Sequence, residues 1–226
     1  EIGVRLVGSE MCIRDSLSGI DPETRNKSVE YILQTARAAK AMGASRFVVH
    51  SGSAGKISRE EALELAKDTL TRAWEAMREE NLDDIILCPE TMGKFNQLGN
   101  LQEVMELCKI NDHFLPCIDF GHLNARTLGS LQSTADYEQI LDTIENELGF
   151  ARLKVFHSHF SQIEYTEKGG EKRHLTFADE VYGPFFEPLA ELIAKKGLTP
   201  TFICESAGTQ AEDAQRMQQI YLNCLK

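Results

Sequence analysis

The sequence predicts an α/β fold built on a parallel sheet, and three observations carry that prediction. Short apolar runs alternate with long amphipathic stretches from residue 17 to residue 226. The apolar runs are continuous rather than alternating, as strands covered by helices on both faces require. Each gap between them holds a helix, which implies right-handed β-α-β crossovers. Five such strands suit a complete doubly wound sheet or five-eighths of a (β/α)8 barrel, and the polar residues must choose between these.

The first helix is DPETRNKSVEYILQTARAAKAMG, which opens with Asp21 as N-cap and Pro22 in the first turn, and stops at Gly43. The first strand is SRFVVH. The next helix, SREEALELAKDTLTRAWEAMREE, starts with Ser58 and Glu61 at capping-box spacing. DIILCPE is a strand, LQEVMELCKI a helix and LPCID a strand. TADYEQILDTIENELG is a helix, and RLKVFH is expected to be a strand ending at His157. PFFEPLAELIAKKG, TPTFICE and QAEDAQRMQQIYLNCLK complete the alternation as helix, strand and helix.

Residues 1–16 stand outside this pattern. LVGSEMCIRDS has no helical or alternating period, and it back-translates to a transposase-type sequencing adapter. We therefore expect 1–16 to be a non-native, adapter-like segment and 17–226 a single partial barrel domain. Net charge is -11. Glu1, Glu10 and Asp15 against Arg5 and Arg14 place only one of those negative charges in 1–16. Such acidity argues against nonspecific coating of nucleic acid, but not against a site where bound metals carry the positive charge. No apolar run is long enough to span a membrane. Cys88, Cys108, Cys117, Cys204 and Cys224 form no CxxC pair, and three lie in strand-like runs. Buried free thiols in a reducing cytoplasm are expected.

The chemistry is at the strand ends. FVVH ends in His50, ILCPE in Glu90, PCID in Asp119, KVFH in His157 and FICE in Glu205. Barrels and open α/β sheets build their sites on this C-terminal edge. One strand-end histidine is ordinary packing; five metal-ligand residues in succession are not. Closely spaced carboxylates would repel unless a cation or proton intervened. His122 in IDFGH and His174 in GEKRH lie in the loops beyond their strands. Mixed imidazole and carboxylate ligands suit zinc, with manganese or iron as alternatives. His113 reads as incidental, and His159 as an outer donor, a substrate contact or a plain neighbour.

The series FVVHSG, CPETMG, IDFGH, FHSHFS, KRH and ICES resembles the endonuclease IV family of abasic-site endonucleases, within the xylose-isomerase-like barrel group. The resemblance covers 17–226 and selects the barrel. It implies a partial (β/α)8 fold with five C-terminal strand-helix units, the first strands missing. LSGID resembles the residues just C-terminal to the family's H-x-x-Y-x-x-N segment, so the gene is expected to be cut within the third strand. Taken literally, such a chain leaves two open sheet edges and is expected to be poorly soluble or inactive.

The resemblance also implies the site. His50 looks like a ligand of the first metal and Glu90 like the carboxylate bridging the first two. Asp119, His157 and Glu205 match ligands of the second metal, and His122 and His174 of the third. Glu90 and Glu205 would be the catalytic carboxylates. The implied reaction is hydrolysis of abasic duplex DNA on the 5′ side by a water activated by two or three zinc ions. Two departures stand out. Lys172-Arg173-His174 replaces the family's Asp-x-His, leaving Glu171 as the nearby carboxylate. His157-Ser158-His159-Phe160 replaces H-L-N-D. The alternative is a sugar isomerase or epimerase on the same barrel, using one divalent metal at Glu90, Asp119, His157 and Glu205.

Overall fold

A computed structural model describes residues 17–225. The reading of 1–16 as adapter lies outside the described residues. The fold is α/β, with parallel strands in the order β1-β2-β3-β4-β7 and a separate two-stranded sheet, as in part of a TIM barrel. The described chain divides into two compact units, with β3 contributing to both.

The first unit comprises 17–92 and 96–117. It contains α1 (Pro22–Ala41), β1 (Arg46–His50), α2 (Arg59–Glu79), β2 (Ile86–Glu90), α3 (Leu101–Cys108) and the start of β3 (Cys117–Asp119). Asp21 caps α1 by accepting from the Glu23 amide at 3.1 Å, and Ser58 caps α2 by accepting from the Glu61 amide at 3.1 Å. Each satisfies an orphan donor at a helix start. α1 buries Ile32, Leu33, Ala36 and Ala39, and α2 buries Ala62, Ala66, Leu70, Ala73 and Met77. These positions recur every three to four residues, the stripe that an amphipathic helix turns to the core. β1 and β2 pair in parallel from Arg46↔Ile86 to His50↔Glu90, and Glu90 is also paired with Cys117. Cys88, Leu115 and Cys117 pack with Val48 and Ile86.

The second unit comprises 93–95 and 118–225. After the last residues of β3 come α4 (Phe120–Arg126), α5 (Thr134–Leu148), α6 (Phe150–Lys154), β4 (His157–Phe160), β5 (Ile163–Thr166), β6 (Gly170–His174), α7 (Glu187–Lys196), β7 (Thr201–Cys204) and α8 (Gln210–Cys224). β4 and β7 pair in parallel from His157↔Thr201 to Phe160↔Cys204. The core here is aromatic. Phe160 meets Phe186 edge-on at 5.0 Å and Phe120 at 6.2 Å, and the buried Tyr137 donates to the Phe185 carbonyl at 2.6 Å.

One expected strand moves. RLKVFH does not run as a strand into His157; its first residues form α6, and β4 begins at His157. Gly149, at φ +84°, ends α5, and its carbonyl accepts from the Leu153 amide at 3.2 Å to start a new turn. Leu153 and Phe156 are buried while Lys154 and Val155 are exposed, a helical spacing rather than a strand's. α4 and the β5–β6 hairpin are elements that the sequence pattern does not announce. The hairpin carries a register shift: Glu164 is paired with Arg173, but Tyr165 with Glu171, so Lys172 is an extra residue.

Candidate metal centre

In the first unit, parallel pairing puts His50 and Glu90 side by side at the C-terminal ends of β1 and β2. His50 Nε2 is 3.5 Å from Glu90 Oε2, and the Glu90 side chain is 3% exposed. The strand exit is tightly built. Ser51 Oγ donates to the Glu90 carbonyl at 2.7 Å. A side chain on Gly99, at φ +107°, would begin 2.8 Å from that same carbonyl, so only glycine fits there.

In the second unit, Asp119 ends β3 and caps α4, its Oδ1 accepting from the His122 amide at 2.7 Å. That turn aims His122 back at its own cap, with Nδ1 3.4 Å from Asp119 Oδ2. His122 Nε2 is 3.5 Å from Glu171 Oε2. The His122 and His174 rings meet edge-on at 5.6 Å, and Ser161 Oγ lies 2.9 Å from His174 Nδ1, fixing that ring. His159 Nδ1 lies 3.0 Å from Glu205 Oε1, and His174 Nδ1 lies 3.9 Å from Glu205 Oε2.

Two ligand sets result from residues of the second unit alone. His122, Glu171 and His174 each offer a donor atom within 4.8 Å of the others, and so do Asp119, His159 and Glu205. The donor chemistry fits a divalent ion of the zinc type, which takes imidazole nitrogen and carboxylate oxygen together. The space fits as well. Gly93 lies against Glu171, where a Cβ would come within 2.7 Å of the Glu171 Cβ and 3.1 Å of the His122 ring. The histidine grouped with Asp119 and Glu205 is His159; His157 starts β4 and sets its ring edge-on to His159 at 5.3 Å. Sequence reasoning leaves His159 without a single role and holds Glu171 only as a substitute. In FHSHFS, the strand position of His159 is the signal that would have found it.

The fold and the side chains define an α/β chain with potential metal ligands gathered at the C-terminal ends of parallel strands. The chain belongs to the xylose isomerase-like TIM barrel family, whose pattern matches residues 2–221. It is 33% identical over 191 residues to the uncharacterized protein MJ0133 of Methanocaldococcus jannaschii, covering 84% of this chain and 68% of that one. It is 28% identical over 180 residues to a probable endonuclease 4 of Mycoplasma pneumoniae, covering 77% of this chain and 58% of that one. The chain thus spans little more than half of that endonuclease relative. A D-tagatose 3-epimerase-like crystal structure superposes with a TM-score of 0.68 at 19% identity, over 93% of this chain and 74% of that one. At that identity the likeness shows the fold alone. Among the described residues, no helix is long and apolar enough to cross a membrane.

Proposed function

We propose that the protein is a zinc-dependent phosphodiester hydrolase that cuts duplex DNA on the 5′ side of abasic sites, as the endonuclease IV family does. The observation that carries this reading is the second ligand set. Asp119, His159 and Glu205 would suffice for one ion; His122, Glu171 and His174 add a further site that single-metal sugar chemistry does not need. When bound, divalent ions lower the pKa of a water to about 7 and offset charge on phosphate oxygens. The chain's own residues do the rest. Glu205, held by His159, and Asp119, held at the α4 cap, keep their carboxylates in fixed directions. His157 backs the His159 ring, and in the first unit Glu90 is held buried beside His50. The substrate's damaged nucleotide leaves the stack at low cost, because no base has to be unpaired. The five cysteines among the described residues are free thiols, three of them buried, which fits a cytoplasmic setting.

A sugar isomerase or epimerase is the second reading. The Asp119–His159–Glu205 set alone serves one ion, and the net charge of -11 suits a small neutral substrate better than a polyanion. One experiment separates them. The chain is loaded with zinc or manganese and given an abasic duplex and a ketose panel in parallel. Nicking 5′ to the lesion, abolished by chelator and by His122→Ala, supports the hydrolase. Metal-dependent ketose epimerisation with an intact duplex replaces it by the second reading, and absence of both activities overturns both.

A further inference from the structure

In the endonuclease IV family, which the motifs resemble, the third metal takes its carboxylate from an Asp two residues before the histidine, a position held here by Lys172. We propose that Glu171 is the carboxylate partner of His122 and His174, that the extra residue Lys172 in β6 turns it toward them, and that Glu164 is the positioning residue that holds this arrangement. The proposal rests on the metal-binding part of the proposed function, not on its substrate.

In a regular strand alternate residues share a face, so Glu171 would point with Arg173 and away from His174. The register prevents this. Tyr165 is paired with Glu171 and Ile163 with His174. Tyr165 and Ile163 are two apart on an unbulged strand and share a face, so their partners do too. The extra residue converts an odd separation on β6 into the same side of the hairpin. The opposite face shows the complement. Lys172 Nζ donates to Glu164 Oε1 at 2.5 Å and Arg173 Nε to Glu164 Oε2 at 2.6 Å. Two consecutive side chains converging on one carboxylate is what a bulge allows and a regular strand does not. Both cations of β6 are thereby drawn off the His122–His174 face.

The bulged strand is also anchored at its start. The Glu171 amide donates to the Gly93 carbonyl at 3.1 Å, and the Phe95 amide to the Gly169 carbonyl at 3.3 Å. Arg126, at the end of the helix that carries His122, donates to the carbonyls of Lys94 and Phe95 at 2.9 and 3.3 Å. Helix α4, segment 93–95 and the hairpin are therefore tied together, and Gly93 leaves the room that the Glu171 side chain fills.

The test reads metal binding, not turnover. Zinc content and titration with cobalt(II), followed by its visible bands, are measured on the full chain and its variants. Circular dichroism in chelator establishes that each variant folds. Glu171→Gln is expected to lose one ion, and Glu164→Gln to weaken that ion by about 10-fold while the other sites titrate unchanged. Adding Lys172→Asp to Glu171→Gln restores the family's spacing in sequence but not the facing side chain, so the ion is expected not to return. Full zinc content in Glu171→Gln, or recovery of the ion in the double variant, overturns the assignment. Unchanged cobalt affinity in Glu164→Gln overturns its positioning role. Loss of the ion in Glu171→Gln by a chain that never cuts an abasic duplex would leave this inference standing and remove the hydrolase reading.

Discussion

Glu103 should be the most costly single carboxylate to remove from the first unit. It is 7% exposed and accepts four hydrogen bonds. Arg59 donates from Nε at 2.8 Å and Nη2 at 2.7 Å, and the amides of Gly99 and Asn100 donate at 2.7 and 2.9 Å. Asn100 completes the capping box by accepting from the Glu103 amide at 2.9 Å. Glu103→Ala removes all four bonds and leaves the Arg59 guanidinium, whose side chain is 33% exposed, without its carboxylate but still donating to the Gln97 carbonyl at 3.0 Å. Breaking a buried pair costs roughly 3–5 kcal/mol; access of Arg59 to water lowers the expectation to about 2–4 kcal/mol. For a chain of this length that corresponds to a fall in Tm of about 5–15 °C. Burial alone would raise the Glu103 pKa, but the Arg59 guanidinium and the two amides hold it below its ordinary 4.5. A depressed folded-state pKa stabilises above the unfolded value and ceases to do so as pH falls through the folded one. The gap in Tm between the parent and Glu103→Ala should therefore be full at pH 7 and shrink on acidification below about pH 4. Thermal unfolding by circular dichroism in chelator measures it. If the two units melt separately, the shift belongs to the transition containing α3. A gap under about 1 °C at pH 7, or one that stays constant into acid, would refute the reasoning.

Other perturbations read the site and the thiols. Asp119→Ala removes the α4 cap and a ligand together, so it should cost about 1 kcal/mol in chelator but far more when zinc is present, as paired melts with and without metal would show. Saturating zinc at 100 times its dissociation constant should add about 2.7 kcal/mol to the stability of the parent chain, reversed by chelator; an unchanged melting curve would argue against a folded-state metal site. Cys88 is fully buried and its thiol pKa is pushed up to about 12, so it should resist a thiol reagent at pH 8 until the protein unfolds, while the half-buried Cys224 reacts before it. Timed labelling with peptide mapping gives the order.

Most of the architecture could be read along the chain because its strands are apolar and its helices are punctuated. FVVH, ILCPE and TFIC are visible as strands because Val, Ile, Leu and Phe must be covered. Asp21-Pro22 and Ser58-x-x-Glu61 mark helix starts by chemistry that acts over three residues. β4 escaped this logic. His157, Ser158, His159 and Phe160 are all buried, yet three of the four are polar, and they are satisfied by partners remote in sequence, such as the Ile118 carbonyl that accepts from Ser158 Oγ at 2.8 Å. The apolar run just before them drew the strand to the wrong residues. The candidate ligands Asp119, His122, His174 and Glu205 stood out as residue types at strand ends and in the loops beyond. Glu171 did not, because which way it faces depends on the register of β5 against β6, a property of the pairing rather than of either segment.

That register has an evolutionary consequence. In the hairpin, the side chain offered to His122 and His174 is set by counting residues, and Lys172 is the one the count leaves over: without it Glu171 would stand two residues before His174 in a regular strand and keep the same face. Gain or loss of one codon here can therefore leave the acidic donor in place, and an alignment that forbids a gap in this strand would set Lys172 where the carboxylate belongs.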